Sequence, residues 1–499
     1  MSKNPSFKND DQESLRVASI TQISRGKGSR KSIYLAAIMA AAGGFVVGYD
    51  SGSISGVMAM DVFANKFLNQ DTSYREGLLV AIMLLTATLG GLMSGYICDW
   101  IGRKYTILLG TYVFAIGALL ETIGSNFGLF MAGRVFVGFG EGFLTNAIPL
   151  YHSEIAPPDI RGRLISLYSA MSAIGSIAGY FVNFGTSYLS PSDWCWRTAF
   201  LIQVILCLLL SFAYLLPFSP RWLVDKQRND EALAVLALLH ESTIDDPAVL
   251  AEYDSIVTEI EYERTFGART FVELFKGTNL KRTLFALFTG NGAAFTGTDA
   301  ISYYAPQIFK QAGLTDTSLA LATSGGSKIV AFFCNMLTLV FIDKLGRRLI
   351  FISGAFLMGS TMYIVGAIFQ SYNTLGSINI SSGDQSVGLS SSTARNAVIA
   401  LIYIFEAAYA YSWGPVAYVY PAEILNMRTR AKGLALAYGL NWAVAIFMTF
   451  VMPIFMDNTI YGGYYFFGGC CTLLVIGSFF LPETKGYTLE EIDQIFNPH

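Results

Sequence analysis

Of the chain's 499 residues, 53% are hydrophobic and 14% charged, and the formal net charge is -3. A soluble domain carries about a quarter charged residues, so a water-soluble fold could not hide this much apolar surface, and a near-neutral chain with no sustained basic block excludes a nucleic-acid partner. The six cysteines (Cys98, Cys195, Cys207, Cys334, Cys470, Cys471) lie mostly inside apolar runs and have neither metal-site spacing nor a secreted disulfide framework.

The first 32 residues are polar and turn basic at Arg25, Lys27, Arg30 and Lys31, with no signal-cleavage pattern before Ile33, so a cytosolic tail over 1–32 is expected. Apolar runs of about 20 residues follow, each long enough to cross about 30 Å of hydrocarbon at about 1.5 Å per residue. Six of them, near 33–56, 77–98, 105–125, 128–150, 164–187 and 198–217, form a bundle over 33–217. A linker over 218–282 comes next; its alternating charge (Glu252, Asp254, Glu259, Glu261, Glu263, Arg264) reads as short surface helices at the membrane face. Six more runs, near 283–308, 317–341, 349–370, 395–420, 433–455 and 461–481, form a second bundle over 283–481 ahead of a cytosolic tail over 482–499. The expected fold class is an all-α membrane protein with twelve transmembrane helices in two pseudo-symmetric six-helix bundles.

Lys and Arg in the short loops set the orientation. Arg103 with Lys104, Arg161 with Arg163, Lys344 with Arg347 and Arg348, and Arg428 with Arg430 and Lys432 share one side if the spans alternate, which makes that side and both termini cytosolic. The loop over 371–394 then lies outside; it lacks Lys and Arg and contains the glycosylation sequon Asn379-Ile380-Ser381.

The halves repeat each other. Asp99-Trp100-Ile101-Gly102-Arg103-Lys104 matches Asp343-Lys344-Leu345-Gly346-Arg347-Arg348, and Glu154 with Arg161 and Arg163 matches Glu423 with Arg428 and Arg430. Glycine permits a tight turn, while arginine can fork onto a carboxylate or a helix C-terminus. Acids and bases from neighbouring helices would form a cytosolic latch that breaks when the bundles rock. The plainer alternative, that these charges only anchor helix ends, leaves the carboxylates among the bases unexplained.

These loops, with GYDSGSISG (48–56), GRVFVGFGEG (133–142), PLYHSEIAPPDIRGRL (149–164), SPRWL (219–223), YYAPQIF (303–309), SWGPVAYVYPAEI (412–424), NW (441–442) and PETKG (482–486), resemble the sugar porter family of the major facilitator superfamily, of the fungal hexose and pentose transporter type. The resemblance implies the major facilitator fold, alternating access, a central monosaccharide-sized site, no cofactor or metal, a monomer, and residence in the plasma membrane.

A dehydrated sugar needs amides and hydroxyls for its hydroxyl groups and aromatic faces for its C–H faces. The family commonly supplies them on the seventh span as Gln-Gln, a hydroxyl with glycine, Asn and Tyr-Tyr. Here both amides are replaced, by Ala293 and Ala294, and the remaining positions read Thr296, Gly297, Asp299, Tyr303 and Tyr304. Ser169 stands where a sugar-binding Gln is frequent, Tyr418 where Trp is, and Asn441 and Trp442 are kept. Lys328 lies well inside the eighth span, where a lysine needs a counter-charge or water. It could pair with Asp299, face the cavity and attract a substrate carboxylate such as a uronate or quinate-like acid, or snorkel outward.

Asp50 on the first span has Arg134 on the fourth as its obvious cationic partner. In proton-coupled members of the family an acid at this motif position is associated with coupling, so the resemblance implies proton symport through Asp50 and Arg134, with facilitated diffusion as the alternative. Glu121, Glu141 and Glu406 are further acids inside spans, and Phe218 replaces the acid of the usual PESPR sequence. The three histidines, His152, His240 and His499, form no constellation, which excludes an enzyme. The partners expected are a sugar or sugar acid, a proton and the lipid bilayer; a transporter-fold nutrient sensor is the rival class.

Overall fold

The computed structural model describes residues 31–68, 72–157, 160–265, 271–372, 389, 391–425, 430–485 and 496. In the first half, α1 spans Lys31–Met58, α2 Thr72–Ile101, α3 Arg103–Ile123, α4 Phe127–Ile155, α5 Arg161–Ser187 and α6 Trp194–Leu210. Three short helices follow: α7 (Pro220–Asp225), α8 (Asn229–His240) and α9 (Pro247–Thr265). The second half comprises α10 (Thr278–Phe295), α11 (Thr298–Gln311), α12 (Thr317–Leu345), α13 (Arg347–Tyr372), α14 (Ser392–Tyr411), α15 (Trp413–Ile424), α16 (Arg430–Asn458) and α17 (Ile460–Ser478). Nine stretches among the described residues are long and apolar enough to cross a membrane. The broken pair α10–α11, together with α12 and α17, completes twelve passages in two bundles.

Several helices outrun the apolar runs that announce them; α2 begins at Thr72 and ends at Ile101 because backbone bonding continues where the side chains become polar. The repeated loops turn on repeated geometry. Gly102 (φ 91°) and Gly346 (φ 88°) both occupy left-handed backbone that disfavours other residues. The seventh passage is a correction to the continuous span expected over 283–308: it breaks at Gly297 (φ 80°), where a Cβ would lie 2.3 Å from the Phe467 ring.

Small residues set which faces meet. Gly44, Gly48, Gly52 and Gly56 recur every fourth residue, so they line one face of α1 and press it onto α5. A Cβ at Gly48 would fall 1.8 Å from the carbonyl oxygen of Ser172. Asp50, two residues on from Gly48, therefore points away from α5 toward α4 and α6. On α4, Gly133 and Gly140 abut α3 while Gly138 and Gly142 abut α2. That wedge leaves Arg134 and Glu141, seven residues apart on one face, for the interior.

The halves meet through α1 with α11, α2 with α16 and α5 with α12. One end of the molecule carries the basic loops; hydrogen bonds join the halves at the other, far end. There the Tyr180 hydroxyl and Ser55 Oγ donate to the Ser302 carbonyl at 2.6 and 3.2 Å. Ser187 and Ser318 share a bond of 2.9 Å, and Lys310 Nζ reaches the Ala59 carbonyl at 2.5 Å and Asp61 at 3.0 Å.

Candidate functional site

A sealed charge cluster lies in the first half. Arg134 forks onto Asp50, NH2 to Oδ2 at 2.9 Å and NH1 to Oδ1 at 3.0 Å, and its NH1 also donates to Glu121 Oε1 at 3.1 Å. Gln203 Nε2 donates to Asp50 Oδ1 at 2.8 Å. Asp50, Glu121, Arg134 and Gln203 are all 0% exposed and come from α1, α3, α4 and α6, so four helices converge on one buried cluster. Glu141 stands close by at 7% exposure with its Oε2 unpartnered, and Tyr303 of α11 approaches from the other half beside Ser51. Breaking a buried pair of this kind by removing one partner costs about 3–5 kcal/mol.

A second cluster lies in the other half and is more open. Lys328 Nζ contacts both oxygens of Glu406 at 2.9 Å and Ser302 Oγ at 2.5 Å, and that hydroxyl donates to Glu406 Oε1 at 3.1 Å. The Lys328 side chain is 14% exposed and that of Glu406 3%. Of the three environments open to Lys328 from the sequence, a salt bridge to Asp299 is not the one found: its partner is Glu406, on α14, while Asp299 is half-buried and shares only the electrostatic field of the pair. The reason is helical position. Ser302 and Asp299 both follow the α10–α11 break, but Ser302 faces α12 and α14 and brings Lys328 and Glu406 together.

The other candidate binding residues separate into groups. Ser169 is exposed, on the face of α5 between its contacts with α1 and α12, and Tyr418 is exposed, its ring 5.1 Å from that of Tyr438. Asn441 donates Nδ2 to the Gly290 carbonyl at 2.7 Å, and Trp442 is half-buried against the core. Two candidates are withdrawn from a binding surface. Thr296 is 0% exposed, and its hydroxyl is bonded to the Ala293 carbonyl at 2.7 Å and Thr298 at 2.9 Å, because a helix ends there. Tyr304 is also 0% exposed, whereas Tyr303, the preceding ring, turns toward the first half.

At the basic end, the acids and bases bond within each half. Arg103 Nε meets Glu154 at 2.9 Å and Arg103 NH1 meets Asp99 at 3.2 Å. Arg347 NH2 meets Glu423 at 2.9 Å, and the backbone N–H groups of Arg347 and Arg348 donate to Glu483 at 2.9 and 3.1 Å, so a carboxylate caps the start of α13. Arg348 itself donates to the Phe479 carbonyl. Arg161 and Arg163 depart from the expected latch: both are exposed with no partner among the described residues, because Glu154 is taken up by Arg103. Asn379 and Arg428, and the side chains of Asp343 and Arg430, lie outside the described residues.

Sequence reasoning singled out Glu121 and Glu406 but gave neither a partner, and it missed Gln203 and Ser302. An amide inside the apolar sixth run was a readable signal for Gln203; nothing local marks Ser302.

The model of a family described as "Sugar (and other) transporter" matches residues 36–496. A glucose transporter of Aspergillus flavus is 31% identical over 481 residues, covering 93% of this chain and 90% of its own. A low-affinity glucose transporter of Saccharomyces cerevisiae is 31% identical over 504 residues, covering 98% and 86%. Among solved structures, the inward-open xylose transporter XylE of E. coli superposes with a TM-score of 0.74 at 24% identity, covering 93% of this chain and 99% of that one. Its partially occluded inward-open form superposes with a TM-score of 0.75 at 22% identity, covering 91% and 99%.

Proposed function

The chain belongs to the sugar transporter family, and from that premise we propose that it moves a neutral monosaccharide by alternating access, together with a proton. It is a multi-pass membrane sugar transporter, not an enzyme. The curated relatives are named for glucose, which makes a hexose the first substrate to test. The basic end is assigned to the cytosol with both termini, by the distribution of Lys and Arg; the far-end bonds support an inward-open form, and a monomer in the plasma membrane is the assignment that the family resemblance carries. Arg103–Glu154 and Arg347–Glu423 are the components of a cytosolic gate, idle here within their own halves.

The observation that carries symport is the Asp50–Arg134 fork, sealed at 0% exposure between α1 and α4. A carboxylate beside a guanidinium favours its charged form, and one left alone in an apolar site favours a proton. Rocking that parts the two residues therefore couples proton loading to conformation. Sugar contacts are assigned to Ser169, Tyr303, Tyr418, Asn441 and Trp442, with Asp299 and the Lys328 cluster at the edge of the site. The acid-substrate alternative loses its support, because Glu406 already neutralises Lys328 and Asp299 adds negative charge.

Uptake of labelled glucose into proteoliposomes with an imposed pH gradient tests the proposal. Accumulation should require the gradient and vanish in Asp50→Asn while counterflow persists; accumulation that survives D50N would show that the fork does not couple. Galacturonate uptake above glucose uptake would restore the acid alternative.

A further inference from the structure

We propose that Glu141 of α4 is a sugar-binding residue whose carboxyl oxygens accept from hydroxyls of the monosaccharide at mid-depth between the halves. This deepens the transport reading above and rests on its monosaccharide substrate; Asp50 and Arg134 keep their coupling role. A dehydrated sugar hydroxyl needs a partner, and the other candidate contacts are short of acceptors. Ala293 and Ala294 on α10 carry no polar side-chain atom, Ser169 on α5 is a single hydroxyl, and the Asn441 amide already donates to the Gly290 carbonyl.

Glu141 lies midway along α4, which runs from Phe127 to Ile155, and transporters built from repeated halves bind their solute near the midplane. It is 7% exposed, its Oε2 is enclosed, and it makes no hydrogen bond or ion pair among the described residues. Burial falls off along one face of the helix, from Arg134 at 0% exposure through Glu141 to Thr145, which is half-buried. The acid therefore stands where the sealed cluster gives way to a more open wall. Arg134, the cation in its field, is already forked onto Asp50 and bonded to Glu121, so the oxygens of Glu141 stay available. A carboxyl unpaired at that depth is costly unless a ligand or water meets it.

The groups around it form a ring that crosses both halves. Electrostatic interactions link Glu141 to Tyr303 of α11 and to Tyr168 of α5, Tyr168 to Tyr418 of α15, Tyr418 to Asp299 of α11, and Asp299 back to Tyr303. Glu141 is the acid of the first half in this ring. Asp299, half-buried and with no hydrogen bond among the described residues, is its counterpart in the second. The Tyr168 hydroxyl donates to Thr145 at 3.0 Å, which ties α5 to α4 beside the acid. Aromatic rings and a few polar groups around one space are what a sugar's C–H faces and hydroxyls require. A carboxyl keeps acceptor capacity in either protonation state, and its two oxygens can span neighbouring hydroxyls, which one serine cannot.

The test measures the KM for labelled glucose and the proton-to-glucose flux ratio in proteoliposomes of the full chain, with monodeoxy glucoses as competitors. Glu141→Leu should raise KM about tenfold or more, as expected for a hydroxyl left without its acceptor, while the flux ratio stays at the wild-type value. One deoxy analogue should compete poorly against wild type yet as well as glucose against E141L, which identifies the hydroxyl concerned. Glu141→Gln keeps the shape and one acceptor oxygen, so it decides the matter if E141L fails to fold. It should raise KM by a smaller factor and shrink the penalty of the same analogue. A wild-type KM and analogue ranking in E141Q would overturn the assignment. So would a flux ratio that collapses at unchanged KM, which would place Glu141 in coupling. Glucosamine preferred over glucose by wild type but not by E141Q would also overturn it, in favour of an ammonium site. Wild-type protein that transports no hexose would instead remove the reading on which this inference rests.

Discussion

Arg134 in the first half and Lys328 in the second each stand among carboxylates from neighbouring helices, but their settings differ. The Arg134 set is 0% exposed, its guanidinium bonded to two carboxylates from two other helices, whereas the Lys328 side chain is 14% exposed and leans on a serine that also ties the halves together. A planar five-donor guanidinium can serve two acids and hold a sealed junction; a compact ammonium on a flexible stem suits a site that tolerates water. The comparison teaches that the two pseudo-symmetric halves carry their charge for different ends, one sealed within the first bundle and one in the second bundle beside the seam between them.

The strongest way to break that distinction is Arg134→Met. It leaves Asp50 and Glu121 without their cation and should destabilise the protein by about 3–5 kcal/mol, read as a large fall in detergent melting temperature with loss of uptake. If R134M were no more harmful than Lys328→Met, the sealed and open clusters would be energetically alike. The second cluster is sharpened by a double-mutant cycle. Lys328→Met and Glu406→Gln should each destabilise, while the double variant recovers part of the loss, with a coupling energy of about 1–3 kcal/mol; strict additivity would mean that the pair is not an interacting unit. Gly48→Ala probes the packing that aims Asp50, since its methyl would meet the Ser172 carbonyl at 1.8 Å. A loss of about 1–3 kcal/mol is expected, with reduced transport; an unchanged melting curve would mean that α1 is free to shift off α5.

The smallest effect is expected at the surface. Lys66 bonds to Asp193, 40% exposed, and that contact holds the Asp193 carboxyl below its ordinary range. Because the folded-state value is depressed, its contribution is present at neutral pH and lost as the pH falls through the carboxylate range. Lys66→Met should therefore cost at most about 1 kcal/mol at neutral pH, screened by solvent, and nothing once Asp193 is protonated; thermal melts at both pH values check this.

Much of the architecture was legible because lipid imposes it: apolar runs marked the passages, and the paired Gly102 and Gly346 loops marked the repeat. The meeting of Asp50 with Arg134 could be read because each is an isolated charge in its own span. The partner of Lys328 could not. Glu406 lies 78 residues away, and which faces meet is decided by close backbone contacts that no local pattern records. The same holds for Arg103, which takes Glu154 from Arg161 and Arg163. The break at Gly297 was hidden because apolar content is continuous across it while backbone geometry is not.

The far-end closure described above rests on one exposed Lys310–Asp61 pair and otherwise on hydroxyls and carbonyls. Neutral bonds of this type contribute about 0.5–1.5 kcal/mol each, so the seam can part tooth by tooth, without a single step in which a buried charge is stripped bare. The molecule thus makes the moving edge between its halves out of parts that ordinary thermal agitation can undo.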